Sequence, residues 1–132
     1  MERFVIYTRV STKSQGKSGL GLEAQQRDIQ LYLDNYAADH EILGELQEIE
    51  SGSKSSREKL QEAIELAKAE DAVLLVSKLD RLSRDVEFIA GLIKRVTIRV
   101  AAMPTADNFQ LHIYAALAEQ ERNFISLRTN LE

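Results

Sequence analysis

The 132-residue sequence contains no cysteine, no tryptophan, one proline and two histidines, and each scarcity excludes a class of protein. Without cysteine there is no disulfide framework and no thiolate zinc site, and His40 and His112 are too few for the usual imidazole clusters. No metal or cofactor is expected, and a reducing cytoplasm is the expected setting. One proline and six glycines exclude collagen-like and low-complexity chains. No apolar run approaches the roughly 20 residues that cross a bilayer, so no membrane span is expected. What remains, 44% hydrophobic and 29% charged residues, suits one globular domain with a single core. A chain of this length takes about two-thirds of its unfolded surface out of water.

The net charge of -4 argues against a dedicated nucleic-acid-binding domain when taken as a whole. Its distribution says something different. Residues 23–71 hold 13 acidic and 5 basic residues, whereas residues 1–22 and 72–132 are net +3 and +1. The acidity sits in the middle of the chain, between flanks that are neutral to basic.

Apolar β-branched and aromatic runs alternate with segments of helical period, the pattern of an α/β fold with a mostly parallel sheet of four to five strands. Strands are expected at Phe4-Val5-Ile6-Tyr7, Glu41 to Ile49, Ala72 to Val76 and Thr97 to Ala101. The unbroken run from Ala72 to Val76 suits a central strand covered on both faces. Helices are expected from Leu22 to Ala37, from Arg57 to Ala69 with Leu60, Ala63, Ile64 and Ala67 on one stripe, and from Asp85 to Arg95. Ser55 with Glu58 three residues on reads as a capping box for the second. A long last helix starts near Asp107 or Asn108. Its apolar residues, among them Phe109, Ile113, Ala116, Leu117, Phe124 and Leu127, occupy more than one face, so part of it is expected to pack against another subunit. This helix reaches the terminus without a stop signal, so the chain reads as truncated, with Leu131-Glu132 a cloning scar. The glycine-rich loop from Lys13 to Gly21 is expected to be the most mobile stretch.

In an open parallel sheet, function gathers at the carboxyl ends of the strands. The first strand leads into Thr8-Arg9-Val10-Ser11-Thr12, the second into Glu48-Ile49-Glu50-Ser51-Gly52 and Arg57, and the third into Lys78-Leu79-Asp80-Arg81-Leu82-Ser83-Arg84. One sheet edge thus collects Arg9, Arg57, Arg81 and Arg84, a hydroxyl at Ser11, and carboxylates at Glu48 and Asp80: an anion site with a nucleophile in it. The arginine fork bonds two phosphate oxygens at once and keeps its charge at any working pH. Taken singly, each arginine reads as a surface cation or a helix-end ion pair, and Ser11 as a turn residue; their concentration at one edge favours the anion site. A Walker loop at Gly16-Lys17-Ser18 fails because Ser11 stands where its first glycine belongs. A receiver domain fails because Arg9 and Ser11 stand where its acidic pair belongs.

The segments Tyr7-Thr8-Arg9-Val10-Ser11-Thr12 with Gln15, Ser51-Gly52 followed by Arg57, Leu79-Asp80-Arg81-Leu82-Ser83-Arg84-Asp85, and Ala118-Glu119-Gln120-Glu121-Arg122 with Arg128-Thr129-Asn130 occur in order along nearly the whole chain. Together they resemble the catalytic domain of the serine recombinases, the resolvase and invertase family, over residues 1–130. The resemblance implies a site-specific DNA recombinase in which Ser11 attacks the scissile phosphate, leaving a 5'-phosphoserine and a free 3'-hydroxyl. It implies no cofactor, because the phosphoserine keeps the bond energy for rejoining. Arg9, Arg81 and Arg84 would hold the phosphate, with Arg57 assisting. Asp80 would handle the proton at the leaving oxygen or orient the arginines. Gln15, Gln25, Glu48 and Ser51 match supporting positions, Glu48 standing where aspartate is common. Glu121 and Arg122 match positions tied to the active site and the subunit interface. Implied partners are DNA, bound weakly because a separate C-terminal DNA-binding domain is expected to be absent, and further copies of the chain, as a dimer that becomes a tetramer during strand exchange. Two other readings stay open: a non-catalytic α/β module for oligomerisation or regulation, and a metal-dependent nuclease built on Glu48, Glu50 and Asp80.

Overall fold

The structure, a computed structural model, describes residues 1–11, 20–50, 57–82, 86–107, 109–117 and 120. In chain order it runs β1 (Glu2–Ser11), α1 (Leu20–Tyr36), β2 (His40–Glu50), α2 (Glu58–Ala69), β3 (Val73–Val76), a 3-10 turn (Leu79–Arg81), α3 (Val86–Arg95) and β4 (Thr97–Val100). Residues 109–117 form a further helix, α4. The four strands make one parallel sheet in the order β2-β1-β3-β4.

That order explains the layering. The crossover from β1 to β2 moves one way across the sheet, and those from β2 to β3 and from β3 to β4 move the other way. Right-handed crossovers therefore put α1 on one face and α2 and α3 on the opposite face. Two apolar clusters match. Ile29, Tyr32 and Leu33 of α1, with Ala37 just after it, pack on Phe4, Ile6 and Leu75. On the other face Leu60, Ala63, Ile64 and Ala67 of α2, with Ile89, Leu92 and Ile93 of α3, pack on Val5, Tyr7, Leu74, Val76, Ile98 and Val100. The expected α2 stripe is the buried one.

Two local features tune this frame. The β1–β2 register slips between Phe4 and Val5, which pair with Ile42 and Gly44 and leave Leu43 as the extra residue of a bulge. Gly44 lies under α2: a Cβ there would stand 3.1 Å from Leu66 Cδ2, so a side chain would make the end of Leu66 give way by a few tenths of an ångström. At the other end of the chain, α4 begins with a reciprocal cap. Asp107 Oδ1 accepts the Gln110 N–H at 2.8 Å, and Gln110 Oε1 accepts the Asp107 N–H at 2.9 Å. Leu111 and Ala115 turn α4 toward the core, while Phe109, Ile113, Tyr114 and Leu117 are exposed. The remainder of the expected last helix, with Asn108, Phe124 and Leu127, lies outside the described residues.

β1 is longer than the four apolar residues that announce it, and extends through Thr8, Arg9, Val10 and Ser11. Thr8 to Ser11, read as part of the loop after the strand, are therefore strand, paired with β2. The capping box expected at Ser55 and Glu58 falls partly outside the described residues. α2 starts at Glu58 with Arg57 at its N-cap, where no side chain of the cap residue bonds the helix; Ser55 lies outside the described residues.

Candidate active site at the carboxyl edge of the sheet

The order β2-β1-β3-β4 makes the gap between β1 and β3 the place where the chain changes direction, the position at which open α/β sheets bind ligands beyond the carboxyl ends of their strands. β1 delivers Arg9 and Ser11 to it, and the turn after β3 delivers Asp80 and Arg81. Ser11 closes β1, opposite Glu50 in register and two residues past Arg9.

Arg9 is the hub. Its main-chain N–H donates to Gln25 Oε1 at 3.1 Å, and its carbonyl accepts from Gln25 Nε2 at 2.9 Å. The second Nε2 proton goes to the Gly21 carbonyl at 3.1 Å. Gln25 is buried, with its donors and acceptor engaged as burial of a carboxamide requires. The Arg9 carbonyl also accepts from Arg81 Nη1 at 3.3 Å. Arg81 Nε, by contrast, is buried without a hydrogen-bond partner and stands 4.0 Å from Asp80 Oδ1. A guanidinium N–H withdrawn from water without a hydrogen bond is costly, and the Asp80 carboxylate offsets this only as a long ion pair, so the bond itself stays open to a second, closer anion.

Glu48 organises the second layer. Only 5% exposed, it lies opposite Arg9 in register. Its carboxylate accepts the Leu60 N–H at 3.2 Å, the Lys59 N–H at 3.4 Å and the Tyr7 hydroxyl at 3.3 Å. The carboxylate therefore caps α2 from a neighbouring strand, where negative charge also favours the helix dipole. Arg57, held at that helix start, donates through Nη1 to the Leu82 carbonyl and places its guanidinium 6.0 Å from the Phe88 ring centre. Burial pushes the Tyr7 phenol well above its usual range, and the Glu48 charge pushes it further against the opposing pull of Arg57 and Arg9. Tyr7 is thus a neutral hydrogen-bond donor at any working pH.

Of the residues singled out from the sequence, Arg9, Arg81, Asp80, Gln25, Glu48 and Arg57 form one connected group around the strand ends. Ser11 is described through its backbone. Arg84, Gln15, Ser51, Glu121 and Arg122 lie outside the described residues. Among the described residues no group of three His, Asp or Glu is arranged to hold a metal ion, and Glu48 is committed to Tyr7 and α2. Tyr7 was missed as a site residue; its spacing of two from Arg9, the strand period, is the signal that marks it. A groove of about 670 Å³ along α2, lined by Arg57, Glu58, Gln61, Glu62 and Glu65, touches this group only through Arg57. Its three carboxylates make it a poor seat for a phosphate.

Known proteins carry the same pattern. Transposon Tn552 resolvase from Staphylococcus aureus is 36% identical over 92 residues, a match spanning 61% of this chain and 46% of that protein, so the stretch shared is less than half the relative's length. Among solved structures, a resolvase family site-specific recombinase from Streptococcus pneumoniae is similar with a TM-score of 0.65 and 25% identity, covering 98% of this chain and 93% of that one. The N-terminal catalytic domain of TP901-1 integrase is similar with a TM-score of 0.62 and 28% identity, covering 93% and 98%. The C-terminal catalytic domain of ISC1926 TnpA, an IS607-like serine recombinase, has a TM-score of 0.58 and 28% identity, covering 98% and 82%. Residues 4–131, nearly all of the sequence and the whole of the group around Arg9, match the family described as Resolvase, N terminal domain, and the chain belongs to that family.

Proposed function

We propose that this chain is the catalytic domain of a serine-type site-specific DNA recombinase. The observation that carries the reading is the buried Nε of Arg81, which has no hydrogen bond and only a 4.0 Å ion pair to Asp80, held beside Arg9 at the end of the strand that bears Ser11. The Ser11 hydroxyl oxygen attacks the scissile phosphorus, the Oγ–P bond forms, and the P–O3' bond breaks. The serine proton departs and the leaving 3'-oxygen takes up a proton, with Asp80 handling it or orienting the arginines. The product is a 5'-phosphoserine and a free 3'-hydroxyl. Attack by a 3'-hydroxyl reverses the step, so rejoining draws on the phosphoserine ester and needs no nucleotide cofactor.

Arg9, Arg81 and Arg84 receive the charge that grows on the equatorial oxygens, assisted by Arg57, with Gln15, Gln25, Glu48 and Ser51 supporting them. Removing one such preorganised donor typically costs about 10² to 10³ in rate. DNA is the substrate, and most backbone affinity belongs to a separate DNA-binding domain. Self-association, as a dimer and then a tetramer in strand exchange, draws on the exposed stripe Phe109, Ile113 and Leu117, spaced four apart on α4, and on Glu121 and Arg122. No helix among the described residues is long and apolar enough to cross a membrane.

The test joins the chain to a DNA-binding domain and offers it a nicked cognate substrate that traps the cleaved state. A denaturation-resistant protein–DNA adduct is expected, formed in the presence of chelator and absent in Ser11→Ala. An adduct that persists in Ser11→Ala, or one that requires magnesium, overturns the assignment, and the latter favours the nuclease reading.

A further inference from the structure

β1 is flanked on both sides for only part of its length. Its ladder to β3 comprises Phe4, Val5 and Ile6, whereas its ladder to β2 continues to Ser11. Alternate residues of a strand turn their N–H and C=O to opposite neighbours. Where β3 has ended, every second residue of β1 therefore offers an amide and a carbonyl to a missing partner. Arg9 meets this problem inside the protein, and Gln25 answers it. The carboxamide carries one donor and one acceptor in the geometry of a peptide group, and its two bonds to Arg9 reproduce the pair a strand residue would make. The third bond, to the Gly21 carbonyl in the first turn of α1, fixes the carboxamide to the helix.

The geometry points to Gln25 as a positioning residue, whose side chain stands in for the absent strand and holds the Arg9 peptide so that Ser11, two residues on, is presented for attack. The Arg9 carbonyl is shared with Arg81 Nη1, so one clamp sets both the strand end and the seat of a phosphate-binding arginine. The chemical half of this inference rests on the recombinase reading; the clamp itself does not. A strand end bonded on one side only opens locally far more readily than the core beside it.

Gln25→Ala and Gln25→Glu test it, with folding checked by circular dichroism. In the Gln25→Ala chain the Arg9 amide is expected to exchange with solvent about tenfold faster, the loss of one hydrogen bond, while the Leu74 and Leu75 amides keep their protection. In the DNA-binding fusion, adduct formation at saturating nicked DNA is expected to slow by about 10²-fold, the scale of an ångström of misplacement, with the half-saturating DNA concentration unchanged. Gln25→Glu keeps the acceptor and loses both donors, and protonation returns one. Burial beside two carbonyls raises that carboxyl, so its adduct rate should recover as pH falls, a profile absent from wild type. A folded Gln25→Ala protein with wild-type Arg9 protection, or with a wild-type adduct rate, overturns the inference. Failure of the wild-type fusion to form a Ser11 adduct strikes at the recombinase reading instead, and amide exchange then still decides whether Gln25 clamps the strand.

Discussion

The two halves of β1 are held by different chemistry. From Phe4 to Tyr7 the strand is completely apolar or aromatic, shut off from solvent and packed against a helix layer on each side. From Thr8 to Ser11 three of the four residues are polar, the ladder to β3 has ended, and the Gln25 side chain supplies the bonds of Arg9. The first half is fixed by burial, which is non-directional and tolerant; the second is fixed by hydrogen bonds whose loss is local and specific. The same strand thus serves as foundation at one end and as tool holder at the other.

That contrast breaks first if a core change in the first half damages the site selectively. Phe4→Ala removes a fully buried ring edge-on to Tyr32, with centroids 6.2 Å apart, and is expected to cost about 3–5 kcal/mol in denaturant unfolding. The surviving folded fraction should react at the wild-type rate. Arg81→Ala should do the reverse, slowing adduct formation by about 10²–10³-fold while costing only about 0.5–1.5 kcal/mol of stability, for the Nη1 bond to the Arg9 carbonyl and the long ion pair with Asp80 that go with the side chain. A smaller effect sharpens the boundary at Tyr7. Its phenol titrates near 10.0 when unfolded and higher when folded, so the folded state holds the proton more tightly. Stability is therefore present in full below pH 10 and is lost as pH rises above it. Near pH 10.5 and beyond, this residue contributes a slope approaching ~1.4 kcal/mol per pH unit. Tyr32, raised chiefly by burial, adds in the same direction. Tyr7→Phe should flatten the slope measured by urea unfolding at stepped alkaline pH.

The smallest prediction lies away from β1, as a control on stability alone. Asp71 adopts φ 51° in the turn between α2 and β3, a left-handed conformation that costs most side chains energy. Asp71→Gly should raise stability by about 0.5 kcal/mol, the gain in the turn being partly offset by a freer unfolded chain, and leave the adduct rate untouched.

These contrasts also explain what could be read from the sequence. The apolar runs at Val73 to Val76 and Thr97 to Val100 and the stripe Leu60, Ala63, Ile64, Ala67 are local patterns, and local patterns announce strands and helices well. Asp107 was likewise legible as a helix cap, because its partner is three residues away. The second half of β1 was read as a loop because its polar residues look solvated until their distant partners are known. Glu48 capping α2 spans 11 and 12 residues, Gln25 clamping Arg9 spans 16, and Arg81 reaching Arg9 spans 72; no periodicity reports such pairs. A buried carboxylate from β2 bonds the Lys59 and Leu60 amides and the Tyr7 hydroxyl together, a cap no local pattern announces; Ser55, the nearer cap expected, lies outside the described residues. The gathering of arginines was legible only through topology, since residues 9, 57 and 81 are brought together by strand order alone.

The position of β2 has a consequence of its own. It forms the outer margin of the sheet, 11 residues long, with one face of its hydrogen-bonding groups turned away from β1. Such a margin invites a strand from another molecule. Along it stand the exposed Glu41 and Glu45, and the Leu43 bulge bends its line. A second copy laid edge to edge would bring like carboxylates into opposition across the new seam. Part of the acidity concentrated in the middle of the chain therefore acts as a fence against edge-to-edge pairing along β2.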